Sequence, residues 1–184
     1  VYDLVSQVIN VVMYQAQRKD IELLLNIEQG LPEHIWVDEV RVKQILINLL
    51  SNAVKFTDAG EIELKLAKKE FINDKLVLRF SVRDTGIGIP VDKQQRIFDA
   101  FTQEDSSISK KYGGTGLGLT ISNNLLKYMG SKLNLISEID KGSVFYFDLE
   151  VAYELENINV DQELLPIKNV LIVDDNENHR LILE

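Results

Sequence analysis

Six of the ten glycines in this chain lie between Gly86 and Gly118. They fall into two clusters, Asp84-Thr85-Gly86-Ile87-Gly88-Ile89 and Gly113-Gly114-Thr115-Gly116-Leu117-Gly118-Leu119, and upstream of both stands Asn48-Leu49-Leu50-Ser51-Asn52-Ala53-Val54-Lys55. Glycine has no Cβ, so backbone freedom is concentrated where a chain would have to approach a ligand closely. The pattern points to a nucleotide site.

A chain of 184 residues buries one proper core with some length to spare, and 45% hydrophobic with 27% charged residues is ordinary for a globular protein. No apolar run approaches the roughly 20 residues that a membrane span needs, and no secretory signal is visible, so no membrane contact is expected from this stretch. The absence of cysteine removes disulfides and thiolate metal sites. A net charge of −9 disfavours general nucleic-acid binding, which needs a basic face, so nucleic acid is not an expected partner. Residues 151–184 hold eight acidic and two basic residues, a net of −6, which makes the tail acidic and leaves the bulk nearly neutral.

Leu4, Val8, Val11 and Val12 recur at helical spacing, and Ile21–Ile27 reads as a strand. After the break at Gly30-Leu31-Pro32, a short strand is expected at His34–Val37, then a helix capped by Asp38. On that helix Val42, Ile45, Leu46, Leu49 and Ala53 share one face, while Asn48, Asn52 and Lys55 form a stripe beside it. Alternation at Ile62, Leu64 and Leu66 and again from Leu76 predicts a hairpin. In the second run Leu76, Leu78, Phe80 and Val82 share a parity with Asp84, which aims that carboxylate at the covered side of the sheet. A buried carboxylate is costly unless hydrogen-bond donors meet it, which singles out Asp84.

Residues 102–114 read as a polar loop; Leu117, Ile121, Leu125 and Met129 predict a helix ended by Gly130, and Leu133–Ile136 and Val144–Val151 form a last hairpin through Asp140-Lys141-Gly142. The order predicts an α/β (α+β) two-layer sandwich with helices on one face of a mixed, mostly antiparallel sheet. A Rossmann fingerprint would need glycine at Val91, and a P-loop would need lysine at Leu119, so neither template fits.

Across nearly all of residues 1–150 the chain resembles the ATP-binding catalytic domain of sensor histidine kinases, in the superfamily with gyrase, heat-shock chaperones and mismatch-repair ATPases. Arg41–Thr57 resembles the N box, Asp84–Pro90 the G1 box, Ile97–Phe101 the F box and Gly114–Leu119 the G2 box. The resemblance implies the Bergerat ATP-binding fold with ATP and Mg2+ as cofactors. It assigns Asn52 to the magnesium ion, Lys55 to phosphate, Asp84 to the adenine amino group, and Phe56 to contact with the ring. Gly86, Gly88 and Ile89 would pass near the purine, and the backbone of Gly114, Thr115, Gly116, Leu117 and Gly118 would hold phosphate at a helix N-terminus. Read as ordinary structure, Asn52 and Lys55 are a solvated helix face, Asp84 a turn carboxylate, and Phe56, Phe98 and Phe101 core aromatics.

Hydrolytic members of the superfamily carry a glutamate one turn before the metal asparagine, where this chain has Asn48, which cannot act as a general base. Asn48 and Lys55 are therefore candidates for positioning, and the resemblance implies transfer to a histidine on a separate helical-hairpin dimerisation domain. Neither His34 nor His179 has the helical context of such an acceptor. Val170–Asp175 resembles the first strand and acidic pair of a receiver domain, the mark of a hybrid kinase. The expected domains are a catalytic unit at 1–151, an acidic linker at 152–167, and a receiver start at 168–184 that packs loosely or is disordered. The implied setting is cytoplasmic, in a parent protein that a membrane anchor would suit. Two alternatives are an ATP-hydrolysing relative and a nucleotide-insensitive scaffold.

Overall fold

The computed structural model describes residues 1–72, 74–98, 116–154 and 174–183. Helix α1 (Tyr2–Gln17) leads into β1 (Ile21–Ile27) through Asp20, whose φ of 55° lets the chain reverse. A two-residue strand β2 (Ile35–Trp36) follows, then α2 (Glu39–Phe56), with Asp38 accepting from the Arg41 amide at 3.2 Å as its N-cap. The long hairpin of β3 (Gly60–Ile72) and β4 (Lys75–Asp84) forms as the alternation predicts. A short helix α3 (Val91–Gln94) and a 3-10 turn at Arg96–Phe98 come next, followed by α4 (Gly118–Tyr128), β5 (Asn134–Glu138), β6 (Gly142–Tyr153) and α5 (Glu177–Leu183).

The sheet has six strands in the order β1-β3-β4-β6-β2, with β5 also on β6. The β1/β3 pair is parallel because α2 carries the chain back across the sheet between them, and every other pairing is antiparallel. The described helices α1, α2 and α4 supply one side of the core: Val5, Val8 and Val12; Ile45, Leu46, Leu49 and Leu50; and Leu126. The sheet supplies the other through Ile62, Leu64, Leu66, Leu78, Phe80 and Phe147. Register partners Phe80 and Phe147 stack with centroids 5.1 Å apart. The two-layer sandwich expected from the element order is the observed fold.

Two helix faces differ from the periodicity reading. Val11 is 55% exposed, because α1 centres its buried line on Val5, Val8, Val12 and Ala16. Ile121 is 45% exposed, because α4 turns Ser122 and Leu126 inward. A serine occupies that core position because the Asn48 amide of α2 donates to its hydroxyl at 2.9 Å, which a search for apolar periodicity cannot register. Gly130 ends α4 as expected, with φ of 74° and a paired turn in which Gly130 N donates to Lys127 O and Ser131 N to Leu126 O.

The other sheet face is polar. Arg79 makes a bidentate pair with Asp148 at 2.7 and 2.9 Å, Lys69 joins it at 2.9 Å, and the Arg79 guanidinium lies 4.4 Å from the Tyr146 ring centre. Arg83 pairs with Glu63 and Glu61. Residues 174–183 meet this face through polar contacts, with no residue of α5 buried: the Asn176 amide donates to Glu22 and Glu61, and the Asn178 amide to Glu61. Val170–Val173 and the linker beyond Glu154 lie outside the described residues.

Candidate functional site

Asp84 is the last residue of β4, paired with Ile62 on one side and Ser143 on the other, and it is 6% exposed. Its Oδ1 accepts from the Gly86 amide at 2.9 Å. Burial pushes the carboxyl above its ordinary value, opposed by hydrogen bonds from the Gly86 and Ser143 backbones. With the Gly86 amide as its donor, the carboxyl has acceptor capacity left over.

The loop after Asp84 is fastened on both flanks. On one, Ile87 N donates to the Phe56 carbonyl at the end of α2 at 3.3 Å. On the other, Asp140 N donates to Ile87 O at 3.0 Å, Ile89 N to the Ser137 hydroxyl at 2.8 Å, and the Gln94 amide to Ile89 O at 2.9 Å. The glycines serve these contacts. A Cβ on Gly86 would lie 2.3 Å from the Phe56 carbonyl oxygen, and one on Gly88 would lie 2.0 Å from that of Glu138.

Helix α2 joins this loop to the start of α4. The Asn48, Asn52 and Lys55 stripe is half-buried, as is Phe56, whose ring centre lies 4.8 Å from the Lys55 ammonium. Burial draws the Lys55 pKa below its usual value. Asn48 is tied to Ser122, and a Cβ on Gly118 would come within 2.2 Å of the Asn48 Oδ1, so the glycine lets α4 begin against α2. The Asn52 amide makes no hydrogen bond among the described residues, which leaves its oxygen available. Gly116 has a φ of 70°, and Leu117 accepts from the Ile121 amide as α4 starts. The Phe98 carbonyl accepts from Thr120 at 3.2 Å, tying the 3-10 turn to the same helix.

Of the residues singled out in the sequence, Asn48, Asn52, Lys55 and Phe56 lie on α2, Asp84, Gly86, Gly88 and Ile89 on the adjoining loop, and Gly116, Leu117 and Gly118 at the opening of α4. Gly114, Thr115 and Phe101 lie outside the described residues. Sequence reasoning missed Ser122, Ser137, Ser143 and Gln94, whose roles depend on contacts between distant segments.

The chain belongs to the family described as histidine kinase-, DNA gyrase B-, and HSP90-like ATPase, matched over residues 37–153. Among curated relatives, the signal transduction histidine-protein kinase BarA of Escherichia coli (strain K12) is 40% identical over 146 residues, covering 79% of this chain and 16% of that protein. The autoinducer 2 sensor kinase/phosphatase LuxQ of Vibrio vulnificus (strain YJ016) is 36% identical over 191 residues, covering 100% of this chain and 22% of that protein. The chain thus spans under a quarter of either. Full-length ShkA, solved in complex with AMPPNP, superposes with a TM-score of 0.72 at 37% identity, over 84% of this chain and 30% of that one.

Proposed function

We propose that this chain is the ATP-binding catalytic domain of a hybrid sensor histidine kinase. The observation that carries the reading is the buried Asp84 carboxylate, held by the Gly86 amide at the end of β4 with acceptor capacity to spare, beside a helix that presents an unengaged asparagine. An adenine amino group supplies the donor that such a carboxylate lacks, and a purine without that group would leave it unpaired. The ShkA complex with an ATP analogue, at 37% identity, supports the same ligand class.

Asn52 would hold a magnesium ion, since an amide oxygen is a suitable hard ligand, and the ion would neutralise charge on the nucleotide phosphates. Lys55 would meet phosphate as a cation. The amides opening α4 would bind phosphate oxygens, with Gly116, Leu117 and Gly118 together with Gly114 and Thr115. The protein's part is positioning and charge neutralisation: an acceptor imidazole nitrogen forms the P–N bond as the bond from the γ-phosphorus to the bridging oxygen breaks and ADP leaves.

Asn48 is engaged with Ser122 and has no basic function to offer, which favours transfer to a protein over hydrolysis. The acceptor is a histidine-bearing dimerisation domain of the same protein. Residues 1–151 form the catalytic unit, 152–167 a linker, and 168–184 the start of a receiver domain that is a second partner. No described helix is long and apolar enough to cross a membrane. A cytoplasmic setting, where ATP is available, fits the reading. The test is calorimetry with Mg-ATP followed by transfer to an added histidine-bearing hairpin. Binding with phosphorylated hairpin supports the reading; rapid phosphate release by the isolated chain favours the hydrolytic alternative, and absence of binding favours a scaffold.

A further inference from the structure

The last turn of α2 carries Asn52, Lys55 and Phe56, and like every helix it ends in carbonyls that its own amides do not reach. Here each of the four has a partner. Ala53 O accepts from Thr57 N at 3.0 Å, and Phe56 O accepts from Ile87 N at 3.3 Å. The other two share one side chain: the Lys19 ammonium donates to Val54 O at 2.7 Å and Lys55 O at 3.1 Å, and its third proton goes to Thr57 O at 3.0 Å. Lys19 reaches them from the turn after α1, and the Asp58 carboxylate 3.9 Å away is its only ion pair among the described residues. A cation at this end also meets the negative pole of the helix. A cleft of about 300 Å³ lined by Gln15, Arg18, Lys19, Ser51, Val54 and Lys55 runs alongside, so loss of the ammonium exposes these carbonyls to water.

We infer that Lys19 is a positioning residue for the phosphate end of the site, a role that rests on the nucleotide reading above. It touches no ligand. By clamping the final turn of α2 it sets the direction of Asn52 and Lys55. Asp84 is anchored separately by β4, so loosening that turn weakens the grip on metal and phosphate while sparing the grip on the purine.

The experiment compares the whole chain with Lys19→Met and Lys19→Arg, well below their melting temperatures, by calorimetry with adenosine, with ADP in EDTA, and with Mg-ADP. Lys19→Met is expected to lower Mg-ADP affinity by about tenfold or more, as supporting groups around metal sites do. Its adenosine affinity should stay within about twofold of the parent, as for independent sites. Lys19→Arg keeps the charge and several donors and should recover most of the loss. Unchanged Mg-ADP binding in Lys19→Met overturns the inference. So does an equal loss of adenosine and Mg-ADP, which would make the lysine a general stabiliser, and so does an Arg variant as poor as Met. Absence of nucleotide binding by the parent chain would instead refute the nucleotide reading on which the inference stands.

Discussion

Replacing Gly86 with alanine tests how tightly the loop after Asp84 is built against α2. The added Cβ would sit 2.3 Å from the Phe56 carbonyl oxygen, 2.9 Å from its carbon and 2.9 Å from Asp84 Oδ1. Two of these atoms are backbone at the end of a packed helix and the third is a carboxylate held in place, so none swings aside; the loop must retreat by about 1 Å to reach ordinary contact. That retreat breaks the Ile87 to Phe56 bond, already at 3.3 Å, and strains the 2.9 Å bond from Gly86 to Asp84. The neutral bond is worth about 1 kcal/mol and the one to the carboxylate about 2 kcal/mol. The alanine returns about 0.5 kcal/mol by restricting the unfolded chain. The expected destabilisation is about 2 to 3 kcal/mol, read from the urea midpoint at unchanged slope. Nucleotide affinity should drop by at least about tenfold, because one movement displaces both the loop and Asp84. Gly130→Ala is the control: its φ is 74° but a Cβ there meets nothing within 4 Å, so it pays only about 1 to 2 kcal/mol of left-handed strain and leaves binding intact. Parent-like stability and binding in Gly86→Ala would refute the close-approach reasoning.

Asp84→Asn should fold normally and bind adenosine at least about tenfold more weakly: with the amide oxygen taken by the Gly86 N–H, its NH2 would face the ligand's own amino group. Since burial raises the Asp84 pKa, affinity in the parent should begin to fall on acidification above the usual carboxylate range, and a fall confined to that ordinary range would contradict this. Asn52→Ala should abolish most of the gain that magnesium brings to ADP binding, measured as the ratio of affinities with and without EDTA; an unchanged ratio would move the metal elsewhere. Hydrogen bonds from Arg79 hold the Asp148 carboxyl below its ordinary value. Its stabilisation is therefore complete above the unfolded pKa near 4 and is lost as pH falls through the lower folded value, so Asp148→Asn should flatten the stability profile below about pH 4.

What could be read in advance followed from local periodicity. The alternation that buries Leu78, Phe80 and Val82 carries Asp84 to the core side without any knowledge of β3 or β6, and the helical spacing of Val42, Ile45, Leu46 and Leu49 sets the Asn48, Asn52 and Lys55 stripe beside the buried face. What escaped depends on partners distant in the chain. Ser122 takes a core position because Asn48, 74 residues away, satisfies it. Lys19 sits in a polar run that reads as surface, yet its ammonium ends a helix 35 residues downstream. The glycine clusters announced close approach without naming what approaches, and Gly86 and Gly118 meet Phe56 and Asn48 of the chain itself. The parallel β1/β3 pair is a property of the crossover, which strand composition does not encode.

The central claim is that purine and phosphate share one site between Asp84, α2 and the start of α4. Amide and side-chain chemical shifts of the labelled chain, followed during titration with Mg-ADP, test it most directly. The account predicts saturable shifts at Gly86, Ile87, the Asn52 side chain, Leu117 and Gly118, with Arg79, Tyr146 and Asp148 on the opposite sheet face unmoved. Shifts confined to that opposite face, with Gly86 and Asn52 silent, would contradict it.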